Sequence, residues 1–425
     1  MPPQSRIVTA IRPFTRRGVG HWLRFTLLLT VGWYVGHLLS ASPWLTQLRY
    51  ALYHRQLMMR DRAKLYPKRT VLMLVNDDDY WGDEFQARSP LKRDVLAELL
   101  DRLNAAGVNT VALDVDLRSP RPNSPGFEFP DYKQEDAKLI EAIGRMCAAG
   151  RHVVLASSIS FDSDGYHEMP SIYTSALPSL PCVQKGYIQL PFDMRRAPGT
   201  LDLAGGGHLD SLSLAVTGIA DPTAHDTTAA DNTRGFRFSE YLTAADFAPR
   251  DGKQFVFSGQ QLTQMKPEQL RNQLADKIVF LGANWHSNAY GTGPMVDLHA
   301  SPGGPEPGVM LHANYVEAML DRTGTFAPLA DSTGEFLEVI LVLALALVGA
   351  LEIHSAWKWA AFAFACMFSL VLTYTLLQNL GVFLDFLVPF MIILFHTIAE
   401  EFMGMLHELR HSRLESKGLP DEVLK

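Results

Sequence analysis

The sequence predicts an α/β domain with a mainly parallel sheet flanked by helices, joined to four transmembrane helices, one before it and three after. Three observations predict this. Short apolar runs (Thr70–Val75, Thr110–Val115 and Lys277–Leu281) have strand length and lack the polar alternation of a half-exposed strand. Between them lie stretches with apolar residues at three- and four-residue intervals, the mark of amphipathic helices. Four longer apolar segments, Phe25–Leu39, Phe336–Leu351, Trp359–Leu377 and Gly381–Ala399, bracket the α/β region unevenly.

The first apolar segment follows Arg6, Arg12, Arg16, Arg17 and Arg24, with no acidic residue among them. Positive residues at a span end stay in the cytoplasm, so residues 1–21 are expected inside the cell and residues 22–43 in the membrane. A cleaved leader is the rival for this segment, because Ser40, Ala41 and Ser42 are small. Pro43 and the interfacial Trp22, Trp33, Tyr34 and Trp44 favour a retained span. Gly32 and Gly36, four residues apart, let two such helices approach closely and point to a homo-oligomer. Residues 44–333 then lie outside, residues 334–400 form three spans, and residues 401–425 form a cytoplasmic tail. Asp385 and His396 fall about three turns apart on the last span, where ionisable groups are functional by default, unless its ends are interfacial.

Within the exported part, Trp44–Tyr66 sets Leu45, Leu48, Leu52 and Met59 among arginines and is expected to be an amphipathic helix leaving the membrane. Thr70–Val75 begins the sheet. Ser89 is placed to cap the next helix, with Pro90 in its first turn and Gly107 at its close. Leu91, Val95, Leu99 and Leu103 form its inner stripe. Thr110–Val115 follows as a strand, completing a βαβ unit with parallel strands and a right-handed crossover. Gln134–Ala148, with Leu139, Ile140, Ile143 and Met146 inward, and Val153–Ala156 repeat the pattern. From Ser157 to Gln260 the periodicity fades. Tyr187–Leu190 is strand-like and Ser211–Ile219 helix-like, while Gly205–Gly207 and Asp221–Arg234 have loop composition. Pro267–Leu274, Lys277–Leu281 and Val309–Leu320 restore helix, strand and helix.

A net charge of -7 without a Lys/Arg block excludes nucleic acid as a partner. In open parallel sheets, ligands bind beyond the carboxyl ends of the strands. Those ends carry Asn76 and Asp77–Asp79; Asp114 and Asp116; Ser157 and Ser158; and Gly282–Asn284. Asp77, Asp79, Asp114, Asp116 and Asn284 are therefore the candidate ligand-binding residues, suited to a basic ligand or to a hard cation such as Mg²⁺ or Ca²⁺. The competing role for these acids is to cap helices and bond loop amides. His286, His299 and His312, near Asp297, lack the spacings of a zinc site, and His299 and His312 are expected to be hydrogen-bonded structural residues. No GxGxxG or GxSxG stretch occurs, and neither a cofactor nor an enzyme activity is expected. Cys366 falls in a predicted span. Cys147 and Cys182 face an oxidising compartment, where one disulfide is open to them. With no diagnostic spacing, two unpaired buried thiols are the favoured expectation.

Three stretches together resemble the CHASE domain of type 2, the cyclases/histidine kinases associated sensory extracellular domain. Leu91–Gly107 running into Val111–Asp116 resembles its helix–strand core. Asp276–Ala283 resembles its second signature strand, and Asp297–Pro302 with Pro307–Asn314 its closing motif. The likeness extends from about Trp44 to Arg322, and one span before the domain with three after is the family's layout. It implies a sensory module in the periplasm of a bacterial inner membrane, with both termini cytoplasmic, acting on a signalling partner in the membrane or cytoplasm. It supplies neither catalytic residues nor a ligand. The residues after Ala399 are too few for a kinase or cyclase, so output through another protein or through the short tail itself is expected. Two further functions fit the residues: an anchored enzyme holding a divalent ion on Asp77, Asp114 and Asp116, and a scaffold subunit of an envelope assembly.

Overall fold

A computed structural model describes residues 65–118, 132–169, 180–190, 197–233, 241–301 and 304–322, with scattered positions beyond these runs. The chain divides into two compact units, Tyr50–Ala327 and the pair of segments Met1–Arg49 and Pro328–Lys425.

The larger unit is built on a six-stranded sheet. Its strands are β1 (Thr70–Asn76), β2 (Thr110–Asp114), β3 (His152–Ser157), β6 (Val183–Tyr187), β10 (Val256–Ser258) and β11 (Ile278–Asn284). Hairpins β4–β5 (Ile159–Asp162, Gly165–Glu168), β7–β8 (Thr200–Asp202, His208–Asp210) and β12–β13 (Leu298–Ser301, Gly304–Pro307) lie outside it, as does the pair β9 (Arg237–Phe238) and β14 (Thr325–Phe326). The helices are α1 (Asp77–Trp81), α2 (Arg93–Ala105), α3 (Tyr132–Ala148), α4 (Leu212–Ala220), α5 (Pro222–Thr233), α6 (Gly259–Gln264), α7 (Pro267–Leu274) and α8 (Gly308–Asp321).

The sheet order is β10-β1-β11-β2-β3-β6, and every pair is parallel. The central strands β1, β2 and β11 are buried on both faces, which explains their apolar sequence, whereas edge strand β6 is partly exposed and carries Gln184 and Lys185. Side chains alternate as the pleat requires. Met73, Val111, Val153 and Val279 pack with α2, α3 and α7, while Leu72, Ala112, Val154 and Phe280 pack with α4 and α8. Leu96, Leu99, Leu100 and Leu103 of α2 are fully buried, each worth about 2 kcal/mol of transfer from water. Connections that advance along the sheet, β1 to β2, β2 to β3 and β10 to β11, place their helices on one face. The return from β6 to β10 places α4 on the other, the segregation expected when every crossover has one hand.

Several local expectations are corrected. The strands of the predicted βαβ unit are parallel but not neighbours, because β11 inserts between them and pairs with β1 from Thr70↔Ile278 to Asn76↔Asn284. Ser89 does not cap α2: the Ser89–Pro90 peptide is cis and the helix starts at Arg93. The donor that Ser89 was expected to satisfy is met from α3, where Glu135 accepts from the Arg93 N–H at 3.0 Å and pairs with Arg88. Strand β6 ends at Tyr187 rather than starting there, since its register on β3 runs from Val183 to Tyr187. Residues 222–233, read as loop, form α5. Asp221 Oδ1 accepts from the Thr223 and Ala224 N–H groups, and Ala224 and Thr228 are buried.

Cys147 and Cys182 are also not free thiols; they form a disulfide across a sequence separation of 35, with Cα atoms 5.2 Å apart. The topology brings them together. Cys147 lies at the end of α3, just before β3, and Cys182 lies just before β6, the neighbour of β3. The Val153 N–H donates to the Cys182 carbonyl at 3.1 Å.

In the smaller unit the described positions of regular structure are helical. Leu27, Tyr34, Leu38, Phe364, Phe368 and Leu370 are exposed there. No described helix is long and apolar enough to cross a membrane. Most residues of the four predicted spans lie outside the described residues, as do Gly32, Gly36, Asp385 and His396.

Candidate functional site

The carboxyl edge of the sheet carries two acidic regions with different surroundings. After β1, Asn76 caps α1: its side chain accepts from the Asp79 N–H at 3.0 Å, and Asp79 Oδ2 accepts from the Asn76 N–H at 3.1 Å. The same buried Asp79 carboxylate also accepts from Gly259 N–H at 3.0 Å and Gln260 N–H at 2.8 Å, the first amides of α6. Asp77 Oδ1 accepts from the His286 N–H, and Oδ2 lies against His286 Nδ1, both at 2.7 Å. Desolvation pushes the Asp77 carboxyl up, but the His286 hydrogen bonds and charge outweigh it and hold it below the usual carboxylate range. Asn284 ends β11 in register with Asn76, half-buried.

Beyond β2 and β11 the chain leaves a cleft of about 800 Å³, within the size range of small-molecule sites. Asp114 and Asp116 line it; Asp77, Asp79 and Asn284 do not. Leu91, Met169 and Ile188 form part of its apolar wall. Trp285 lines it while stacked on Tyr80, with ring centroids 4.3 Å apart and an interplanar angle of 8°. The acids proposed for a divalent ion are thus not assembled at one place, and no group of three metal-binding side chains occurs among the described residues.

Charges along the cleft are largely spent in pairs. Arg118 forks onto Asp116, with Nη2 at 2.6 Å and Nε at 2.9 Å. Burial pushes the Asp116 carboxyl up, and these bonds overcome it and lower it. Arg88 pairs with Glu135. Asp297 sits 2.9 Å from His299 Nε2 and covers the N-terminus of α8, where its carbonyl accepts from Gly308 N–H. A Cβ at Gly308 would collide with the Asp297 carboxylate, so any larger residue here would displace that side chain.

Asp114 differs. It is only 9 % exposed, and among the described residues nothing bonds its carboxyl. Burial, reinforced by the charge of Asp297, raises it well above the usual carboxylate range.

His312 also lines the cleft from α8. Ser213 Oγ is 2.8 Å from its Nδ1, and the Ile188 carbonyl accepts from Nε2 at 3.2 Å. Burial lowers its pKa to about 4, leaving a neutral ring with the proton on Nε2. Ser213 is fully buried, so this pair is structural, as expected for His312, and offers no exposed nucleophile.

The family model for the CHASE2 domain matches residues 25–351, most of the chain. The chain belongs to the CHASE2 family. The match is wider than the motifs alone indicated and takes in the first two predicted spans. CHASE2 domains are sensory modules of extracellular type, which fits a sensor role and a periplasmic domain. No curated protein and no solved structure matches this CHASE2 chain.

Sequence reasoning placed Asp114 and Asp116 at the site but missed Tyr80, Arg88, Arg118 and Trp285. Trp285 directly follows Asn284 and Arg118 lies two residues after Asp116, so proximity to a strand end was the available signal. Arg88 had none, because α3 brings its partner Glu135.

At the far end of α8 the helix is fastened to the segment that leads into β1. Glu317 Oε1 accepts from the N–H groups of Arg69 and Thr70 at 2.7 and 2.6 Å, and from the Thr70 hydroxyl at 2.9 Å. Asp321 pairs with Lys68 and Arg69 at 2.6 and 2.5 Å.

Proposed function

We propose that this CHASE2 chain is a non-enzymatic sensor or regulatory protein of a bacterial inner membrane. Its periplasmic domain relays an external signal through four transmembrane helices to a partner protein in the cytoplasm or membrane. The observation that carries this is the placement of α8. Its first turn, with Gly308 and His312, lines the cleft, and its last turn holds the residues that lead into β1. A ligand in the cleft therefore touches an element whose other end, about 20 Å away, is joined to the start of the domain.

Export is supported by the disulfide, which persists in oxidising compartments, and by the arginines ahead of the first apolar segment. The exposed large apolar side chains of the smaller unit suit contact with lipid or with a second copy of the chain. The divalent-ion enzyme reading has less support, since Asp77 is occupied by His286 away from Asp114 and Asp116.

The test uses photocrosslinkers in residues 401–425 of the full-length protein in native membranes. A partner crosslink whose yield changes when the cleft is filled by Ser171→Trp supports the relay. A yield indifferent to the filled cleft sinks it, as do reporter fusions near Gly205 that behave as intracellular.

A further inference from the structure

We propose that the cleft binds an organic cation, an ammonium group on an apolar body, with the charge between Asp114 and Asp297 and the body against Trp285. This rests on the sensor reading for its purpose but not for its chemistry. Six observations favour that ligand class over an anion or a metal ion.

The two arginines that line the cleft are already engaged, Arg118 by Asp116 and Arg88 by Glu135, so an incoming anion would compete with carboxylates held close to them. Asp114, by contrast, is nine-tenths buried, lines the cavity and lacks a protein partner among the described residues. A carboxyl that lines the cleft without a protein partner is available to a donor entering it. Asp297 adds a second carboxylate, near enough to act on Asp114, with His299 on one oxygen. Trp285 is fixed by its stack on Tyr80, and an indole face attracts ammonium groups. Asp114 and Asp297 offer too few oxygens for a metal ion, consistent with the lack of a three-residue metal cluster among the described residues. The remaining wall, including Leu91, Met169 and Ile188, suits hydrocarbon.

The experiment is isothermal titration of the full-length protein in detergent with three probes of similar shape: 2-phenylethylammonium, 2-phenylethanol and 3-phenylpropanoate. The ammonium is expected to bind at least about tenfold more tightly than the alcohol, and the carboxylate more weakly still. Asp114→Asn, which keeps the size of the side chain and removes its capacity for charge, should weaken the ammonium about tenfold while leaving the alcohol within about twofold. Asp297→Asn is the second variant and should act in the same direction.

An alcohol or carboxylate that binds as tightly as the ammonium overturns the proposal. So does an ammonium affinity unchanged in both Asn variants, or no binding at millimolar concentration. Failure here is separable from failure of the relay. If the ammonium binds as expected but leaves the tail crosslink unchanged, the ligand class stands and the relay falls. If Ser171→Trp alters the crosslink while no ammonium binds, the ligand class falls and the relay stands.

Discussion

Asp77 and Asp114 stand at the same edge of the same sheet, one just past β1 and the other ending β2, and their environments are opposite. Asp77 takes two contacts from His286, and its neighbour Asp79 takes three backbone N–H groups. Asp114 is more deeply buried than Asp77, and no partner meets it among the described residues. What separates them is the chain that returns to each strand end. At β1, the amides of α6 and the segment after β11 arrive as donors. At β2, Arg118 folds back onto Asp116 and leaves Asp114 facing a cavity. An acid at a strand end is thus structural or available according to the donors its surroundings bring, and residue type does not decide it.

This contrast would be trivial if the β2–β6 side of the domain were merely looser. The disulfide argues otherwise. Cys147→Ser should cost about 4 kcal/mol through the entropy of the closed loop, read as a lowered urea midpoint. A cost under about 1 kcal/mol would mean that the side bearing the cleft is weakly held.

The next largest effect belongs to Asp79. Its replacement by Ala strips three N–H groups of a buried carboxylate and should destabilise the domain by about 3 kcal/mol in the same assay. The matching change at the other strand, Asp114→Asn, should cost no more than about 0.5 kcal/mol in acid, where both side chains are neutral. A loss at Asp114 comparable to that at Asp79 would break the contrast.

Titration sharpens it further, because the two sides have opposite signs. The carboxyl of Asp114 is raised in the folded state, so the folded form holds its proton more firmly than the unfolded chain. Its contribution to stability is full below the usual carboxylate range and is lost as pH rises through the raised value. Asp114→Asn should therefore gain on the wild type towards neutral and alkaline pH in melting curves. The carboxyl of Asp77 is lowered, so its contribution is present above the usual range and lost as pH falls through the depressed value. Asp77→Asn should flatten that acid limb. The effect is the smallest of the series, under about 1 kcal/mol, because the pair is partly exposed and screened by solvent.

The parts of the fold legible in the sequence are those that the sheet buries completely. Thr70–Val75, Thr110–Val115 and Lys277–Leu281 read as strands because both faces are covered, and Pro267–Leu274 matches α7 at both ends. Long-range assembly was not legible. Nothing in residues 278–284 says that they insert between β1 and β2, and the disulfide depends on the same adjacency of distant strands. Helix α5 was obscured by its Thr, Asp and Ala content, although Asp221 before Pro222 is a reasonable cap and first turn; its docking beside α4 and α8 tips the balance. At the site, alternation along β2 separated Asp114 from Val111 and Leu113, the arrangement found. The aromatic wall was hidden because Tyr80 and Trp285 meet only once β1 and β11 pair.

The fastening at Glu317 limits how motion can leave the domain. For the last helix to slide past the first strand like a piston, a buried carboxylate would have to release Arg69 and Thr70 together. Movements that keep these bonds carry both leads of the domain at once, as a shared tilt or twist. Under the proposed relay, the cleft would pass on a torque on a coupled pair of leads rather than a push on one of them.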